Sequence, residues 1–121
     1  MYSPNHQGAF LDPLLVGAFT PETITSLTRA DVFNGPQKWF FGVLKMMPVY
    51  RIRDGYQNLK KNDTTFKQCY SLLGNKGNML MFSEGGHHEE YYLQTLSKGS
   101  SRLAYQAQMK YPKEKIYIMP V

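Results

Sequence analysis

Residues 79–86 read Met79, Leu80, Met81, Phe82, Ser83, Glu84, Gly85, Gly86. Four apolar residues in succession fit a short buried strand, and the polar, glycine-rich end fits a loop delivered at that strand's end. Upstream, Asp63 can cap a helix whose apolar face is Phe66, Cys69, Tyr70 and Leu73, closed by Gly74. Downstream, Leu103, Ala104, Ala107 and Tyr111 suggest a helix beginning near Ser100, and residues 115–121, with Ile116, Ile118 and Val121, read as a last strand. Helices alternating with strands predict an α/β fold.

The N-terminal half continues the alternation. Asp12 followed by Pro13 reads as the cap and first position of a helix running through Leu14, Leu15 and Ala18. Ile24 to Leu27 fits a short strand. After Asn34, Gly35 and Pro36, the residues Trp39, Phe40, Val43, Leu44 and Met47 recur at helical spacing, which predicts a helix from about Pro36 to Met46 with Trp39 and Phe40 in the core. Pro48 stops it, residues 49–53 alternate as a half-buried strand would, and Asp54 and Gly55 turn the chain. The expectation is a single α/β domain with a mixed or mostly parallel sheet flanked by helices.

Composition narrows the function. With 121 residues, 42% hydrophobic and 19% charged, the chain suits one globular core. A net charge of +5 favours anionic partners. The basic residues are scattered, without an aromatic-basic run or a basic helix, which argues against nucleic-acid binding. The single cysteine, Cys69, excludes an internal disulfide and a CxxC site, and a reducing compartment fits. The most apolar stretch, residues 39–50, is interrupted by Lys45 and Pro48, short of the ~18 apolar residues a membrane span needs. The opening MYSPNHQG has neither a basic nor an apolar signal region.

His6 precedes Asp12 with five residues between them. At that spacing a carboxylate can hold one imidazole nitrogen while the other serves as a base; equally, His6 can be a loop histidine and Asp12 a helix cap. Order distinguishes these readings. Asn5, His6, Gln7 with Asp12, then Pro48, Val49, Tyr50, Arg51, then Phe82, Ser83, Glu84, Gly85, and finally Ile118, Met119, Pro120, Val121 resemble, in sequence order, motifs one to four of the glycerolipid acyltransferases. That family includes glycerol-3-phosphate and 1-acylglycerol-3-phosphate acyltransferases.

The resemblance implies that His6 is the general base on an acceptor hydroxyl, that Asp12 orients it, and that Arg51 contacts the acceptor's phosphate. Asn5, Glu84 and Gly85 would help shape the acceptor site. A carboxylate is unsuited to phosphate, so Glu84 would hold a basic side chain or bond loop amides. Three positions depart from the pattern. The interval from His6 to Asp12 is one residue longer than the commonest form, Ser83 replaces proline, and Gly86, His87 and His88 stand where threonine and arginine are frequent.

The implied activity is acyl transfer from an acyl-CoA or acyl-carrier-protein thioester to a hydroxyl of lysophosphatidate or glycerol 3-phosphate, in phospholipid synthesis, without a cofactor. Peripheral contact with an anionic membrane and a place in the cytoplasm or at the cytoplasmic membrane face would follow from those substrates. The short flanks outside motifs one and four suggest that residues 1–121 form an acyltransferase domain truncated at both ends, and they leave a non-catalytic lipid- or membrane-binding domain as the alternative. Met1 to Pro4 leave little room for a strand before His6. A third reading makes His87, His88, Glu89 and Glu90 metal ligands of a hydrolase, although adjacent histidines do not converge as an i, i+4 helical pair does.

Overall fold

The computed structural model describes residues 1–6, 8, 11–35, 38–50, 56–85 and 92–121. Five strands, β1 (Tyr2–Ser3), β2 (Ile24–Arg29), β3 (Met46–Val49), β4 (Asn78–Leu80) and β5 (Met119–Pro120), form one sheet in the order β3-β2-β4-β1-β5. Every described pairing is parallel. Helices α1 (Leu11–Phe19), α2 (Lys38–Val43), α3 (Tyr56–Gly74) and α4 (Gly99–Lys110) connect them, with a 3-10 turn at Ala30–Asn34 before α2. The α/β expectation holds, and the sheet is parallel rather than mixed.

Two layers cover the sheet. On one face α3 and α4 pack together over Leu27 and Met79, and Cys69, Leu73, Leu103, Ala104 and Ala107 complete this core. Phe66 and Tyr70 pack against it, as the predicted helix face requires. Side chains alternate along a strand, so Leu80, next to Met79, points to the opposite face, where Ile24, Ser26 and Met46 join it beneath α1. Coverage there is thin. No residue of α1 is buried, and a pocket of about 290 Å³ lies between α1 and the sheet.

Several boundaries differ from expectation for identifiable reasons. Helix α1 begins at Leu11, because the Gly8 carbonyl accepts both the Leu11 amide (2.7 Å) and the Asp12 amide (3.3 Å), so Asp12 lies in the first turn and is not the cap. Helix α2 is only six residues long. Lys45, at φ 50°, turns the chain into β3, and Phe41 takes the buried position against Phe33 while Trp39 is 73% exposed. The core position predicted for Trp39 is therefore incorrect.

Strand β3 starts before Pro48 and includes it. The Ser26 amide donates to the Lys45 carbonyl, so by alternation the polar groups of Lys45, Met47 and Val49 face β2 and those of Pro48 face outward. At this edge position proline's missing N–H costs no ladder bond. Residues 51–55, which include the rest of the predicted strand and its turn, lie outside the described residues.

Helix α3 starts at Tyr56, and Asp63 is an exposed mid-helix residue. Within it, buried Asn62 accepts the Tyr50 amide at 2.9 Å and donates to the Tyr50 carbonyl at 2.8 Å, while Thr65 donates to the Pro48 carbonyl. Strand β4 spans Asn78–Leu80, shorter than the Met79–Phe82 expected, and β5 comprises Met119–Pro120 alone. At the other terminus, a two-residue strand does form before His6, because Tyr2 pairs with both Leu80 and Met119 and Ser3 with Pro120.

Two predictions follow from this packing. Asn62→Leu removes both partners of the Tyr50 backbone, and the expected loss is about 1–3 kcal/mol of stability, measured by urea denaturation. Burial pushes the Cys69 thiol up to about 12. An unfolded thiol ionises near ~8.5, so above that pH the unfolded state sheds its proton first and stability declines as pH rises toward 12. Cys69 should resist thiol reagents at pH 8 until denaturant is added, and Cys69→Ala should make stability above pH 9 less pH-dependent; fast labelling of the native chain would contradict this account.

Candidate active site

Parallel pairing puts the carboxyl ends of all five strands on one edge of the sheet, the edge where open α/β sheets bind ligands. His6 follows β1, Tyr50 follows β3, Phe82 to Gly85 follow β4, and Val121 follows β5. The connection from β1 passes over β4 to β2, whereas that from β4 passes over β1 to β5. Neighbouring strands whose connections leave in opposite directions open a crevice between their ends. His6 and the Phe82–Gly85 segment flank it.

The His6 Nδ1 lies 3.1 Å from the Asp12 Oδ2, and both side chains are mostly shielded, at 14% and 23% exposure. A carboxylate oxygen accepts, so the pairing selects the tautomer with its proton on Nδ1, in which Nε2 is the ring's acceptor nitrogen. The same Asp12 oxygen accepts the Gly8 amide at 2.8 Å. One carboxylate thus closes the interval from His6 to α1 and absorbs its extra residue. Gly8 is needed for this fit, since a Cβ there would stand 2.6 Å from the Asp12 Oδ1.

From the other side, the Phe82 ring stacks on the imidazole, with centroids 3.9 Å apart and planes inclined by 22°. The next residues form a tight turn in which the Gly85 amide donates to the Phe82 carbonyl at 3.2 Å. Gly85 has φ +73°, a backbone conformation glycine adopts at little cost. Glu84 accepts the His6 amide at 3.1 Å through Oε2 and the Gln94 amide at 3.3 Å through Oε1. Its carboxylate therefore bonds loop amides. Ser83, between the two residues that touch His6, is buried, and its hydroxyl is hydrogen-bonded to those of Ser3 and Ser100.

Of the residues singled out from sequence, His6, Asp12, Glu84 and Gly85 come together in one cluster. Asn5 is exposed beside His6. Arg51 lies outside the described residues; its chain neighbour Tyr50 is fixed by Asn62. The fourth block pairs with β1, with Pro120 opposite Ser3. His87, His88, Glu89 and Glu90 also lie outside the described residues, and among the described ones no group of three or more His, Cys, Asp or Glu side chains gathers as a metal site. Gly8, Gln94 and the three serines were not anticipated. For Gly8 the signal was present in the sequence, as a glycine between a histidine and an aspartate that must meet.

No curated protein matches the chain, and no solved structure does. The family model described as Acyltransferase matches residues 1–121. With that match over the whole chain, and with the histidine, the aspartate and the third-block turn converging at adjacent strand ends, the protein belongs to the acyltransferase family, as a glycerolipid acyltransferase-type domain.

Proposed function

We propose that the domain transfers a fatty acyl group from an acyl-CoA or acyl-carrier-protein thioester to a hydroxyl of lysophosphatidate or glycerol 3-phosphate. The observation that carries this reading is the His6–Asp12 pair at 3.1 Å. Asp12 holds the Nδ1 proton, His6 Nε2 takes the acceptor's hydroxyl proton, and the oxygen attacks the thioester carbonyl. Collapse of the tetrahedral adduct breaks the C–S bond, and the imidazolium returns its proton to the departing thiolate. A thioester is reactive enough to need no covalent enzyme intermediate, so positioning and base catalysis suffice.

Arg51 is assigned to the acceptor's phosphate on the strength of the sequence resemblance, as a fork of donors suited to its oxygens. The end of β3 stands three strand spacings from β1, or about 14 Å. Asn5 would border the same acceptor.

For the acyl chain, the pocket beneath α1 is the favoured receptor. Pro13 and Leu14, which line it, directly follow Asp12; Gly17, Ala18, Ile24, Leu44, Met46 and Leu80 add apolar lining, and Glu22, Thr23 and Ser26 its polar part. Around it Leu11, Leu15 and Phe19 of α1 and Trp39 and Val43 of α2 are exposed. With the net charge of +5, these apolar faces support peripheral contact with an anionic membrane, and the substrates support its cytoplasmic side. Among the described residues no helix is long and apolar enough to cross a membrane.

The first test is acceptor-dependent thiol release from a long-chain acyl thioester, given as CoA and as carrier-protein conjugates. His6→Ala should lower it by about 10²–10⁴-fold with the circular dichroism spectrum unchanged. Full activity of a folded His6→Ala would overturn the assignment, and liposome binding without turnover by the parent would favour a non-catalytic lipid-binding domain. A second test uses Gly17, where an added Cβ meets no atom within 4 Å. Gly17→Leu should strengthen α1 by up to about 1 kcal/mol through helix propensity yet reduce the preference for long over short acyl donors by about tenfold, as the leucine fills the pocket; an unchanged preference would remove the pocket from the reaction.

A further inference from the structure

Ser83 stands where the family pattern has proline, and its surroundings show what the hydroxyl does. It is a central residue of the Phe82–Gly85 turn, with Phe82 stacked on the His6 ring before it and Glu84 bonded to the His6 amide after it. Its side chain points inward. The Ser83 Oγ bonds the Ser3 Oγ, three residues before His6, and lies 2.7 Å from the Ser100 Oγ in the first turn of α4. The Ser83 carbonyl also accepts the Ser97 amide at 2.7 Å. Ser83 and Ser100 are 5% and 7% exposed, so water competes little for these bonds.

The three hydroxyls therefore link β1, the turn after β4 and the start of α4 in a continuous chain. Each hydroxyl donates once and accepts from another, so a three-member chain can satisfy its middle member fully. Beside this link, the Glu84 carboxylate and the Ser97 bond also attach the turn to its neighbours. Rotation about the turn would carry Phe82 from beneath the imidazole and Glu84 from the His6 amide together. We propose that the Ser3–Ser83–Ser100 hydroxyl chain holds in place the turn that backs the general base, which makes Ser83 and Ser100 positioning residues for acyl transfer. The inference rests on the proposed role of His6.

Amide hydrogen exchange followed by NMR reads the positioning without any substrate. In Ser83→Ala and Ser100→Ala, exchange at the His6 and Gln94 amides should accelerate about tenfold, the effect of one lost hydrogen bond. Exchange at Met79, in buried β4, should stay at the parent's rate, and Ser83→Thr should restore protection. In the same variants kcat for acyl transfer should fall while KM for the thioester stays within twofold. Unchanged exchange at His6 and Gln94, or an equal acceleration at Met79, would overturn the proposal. A parent without turnover would count against the reaction assigned to His6, and the exchange comparison would then decide the hydroxyl chain's role by itself.

Discussion

The arrangement depends on the pairing of a strand only two residues long. Tyr2 and Ser3 join the sheet between β4 and β5, and Tyr2 has a partner on both sides. A pair of residues contributes too few ladder bonds to hold a strand alone, so β1 is held by its neighbours. Its register then fixes everything beyond it. A slip by one residue would reverse its side chains and move Ser3 from Ser83 and His6 from Phe82 and Glu84. The position of His6 follows from the parallel sheet rather than from the loop that carries it.

What was legible in the sequence was what is local or what is patterned. His6 and Asp12 meet across five residues, and the structure needs only Gly8 and the first turn of α1 to join them. The helix containing Cys69 and Leu73 was visible because its apolar period is regular. Less legible were features set by distant partners. Asn62 and Asp63 look like the polar start of a helix, yet Asn62 lies within one because its amide serves the backbone of Tyr50. The serine chain joins residues 80 and 17 positions apart, and no spacing rule connects them.

Trp39 shows a different limit. Helical spacing identified an apolar stripe, but the helix ends after six residues, and Phe41 rather than Trp39 reaches the interior. The two faces of the sheet are unequal as a result. One has a close-packed core of Cys69, Met79 and Ala107, each 0% exposed. The other keeps a pocket and two helices with apolar side chains in solvent. The fatty acyl transfer proposed for this domain would use that asymmetry, since a face already packed to interior density cannot admit a hydrocarbon chain.

Pro48, inside β3, also has an effect on assembly. Among the described residues the outer flank of β3 is one of the two unpaired borders of the sheet, and the proline ring stands there in place of a donor. Opposite it, the other border is β5, whose two residues include Pro120. Along β3 the described residues do not offer the long row of free donors and acceptors on which a further strand could template. Proline at the β3 border therefore works against association through that strand's backbone, and leaves the exposed apolar helical faces as surfaces for contact.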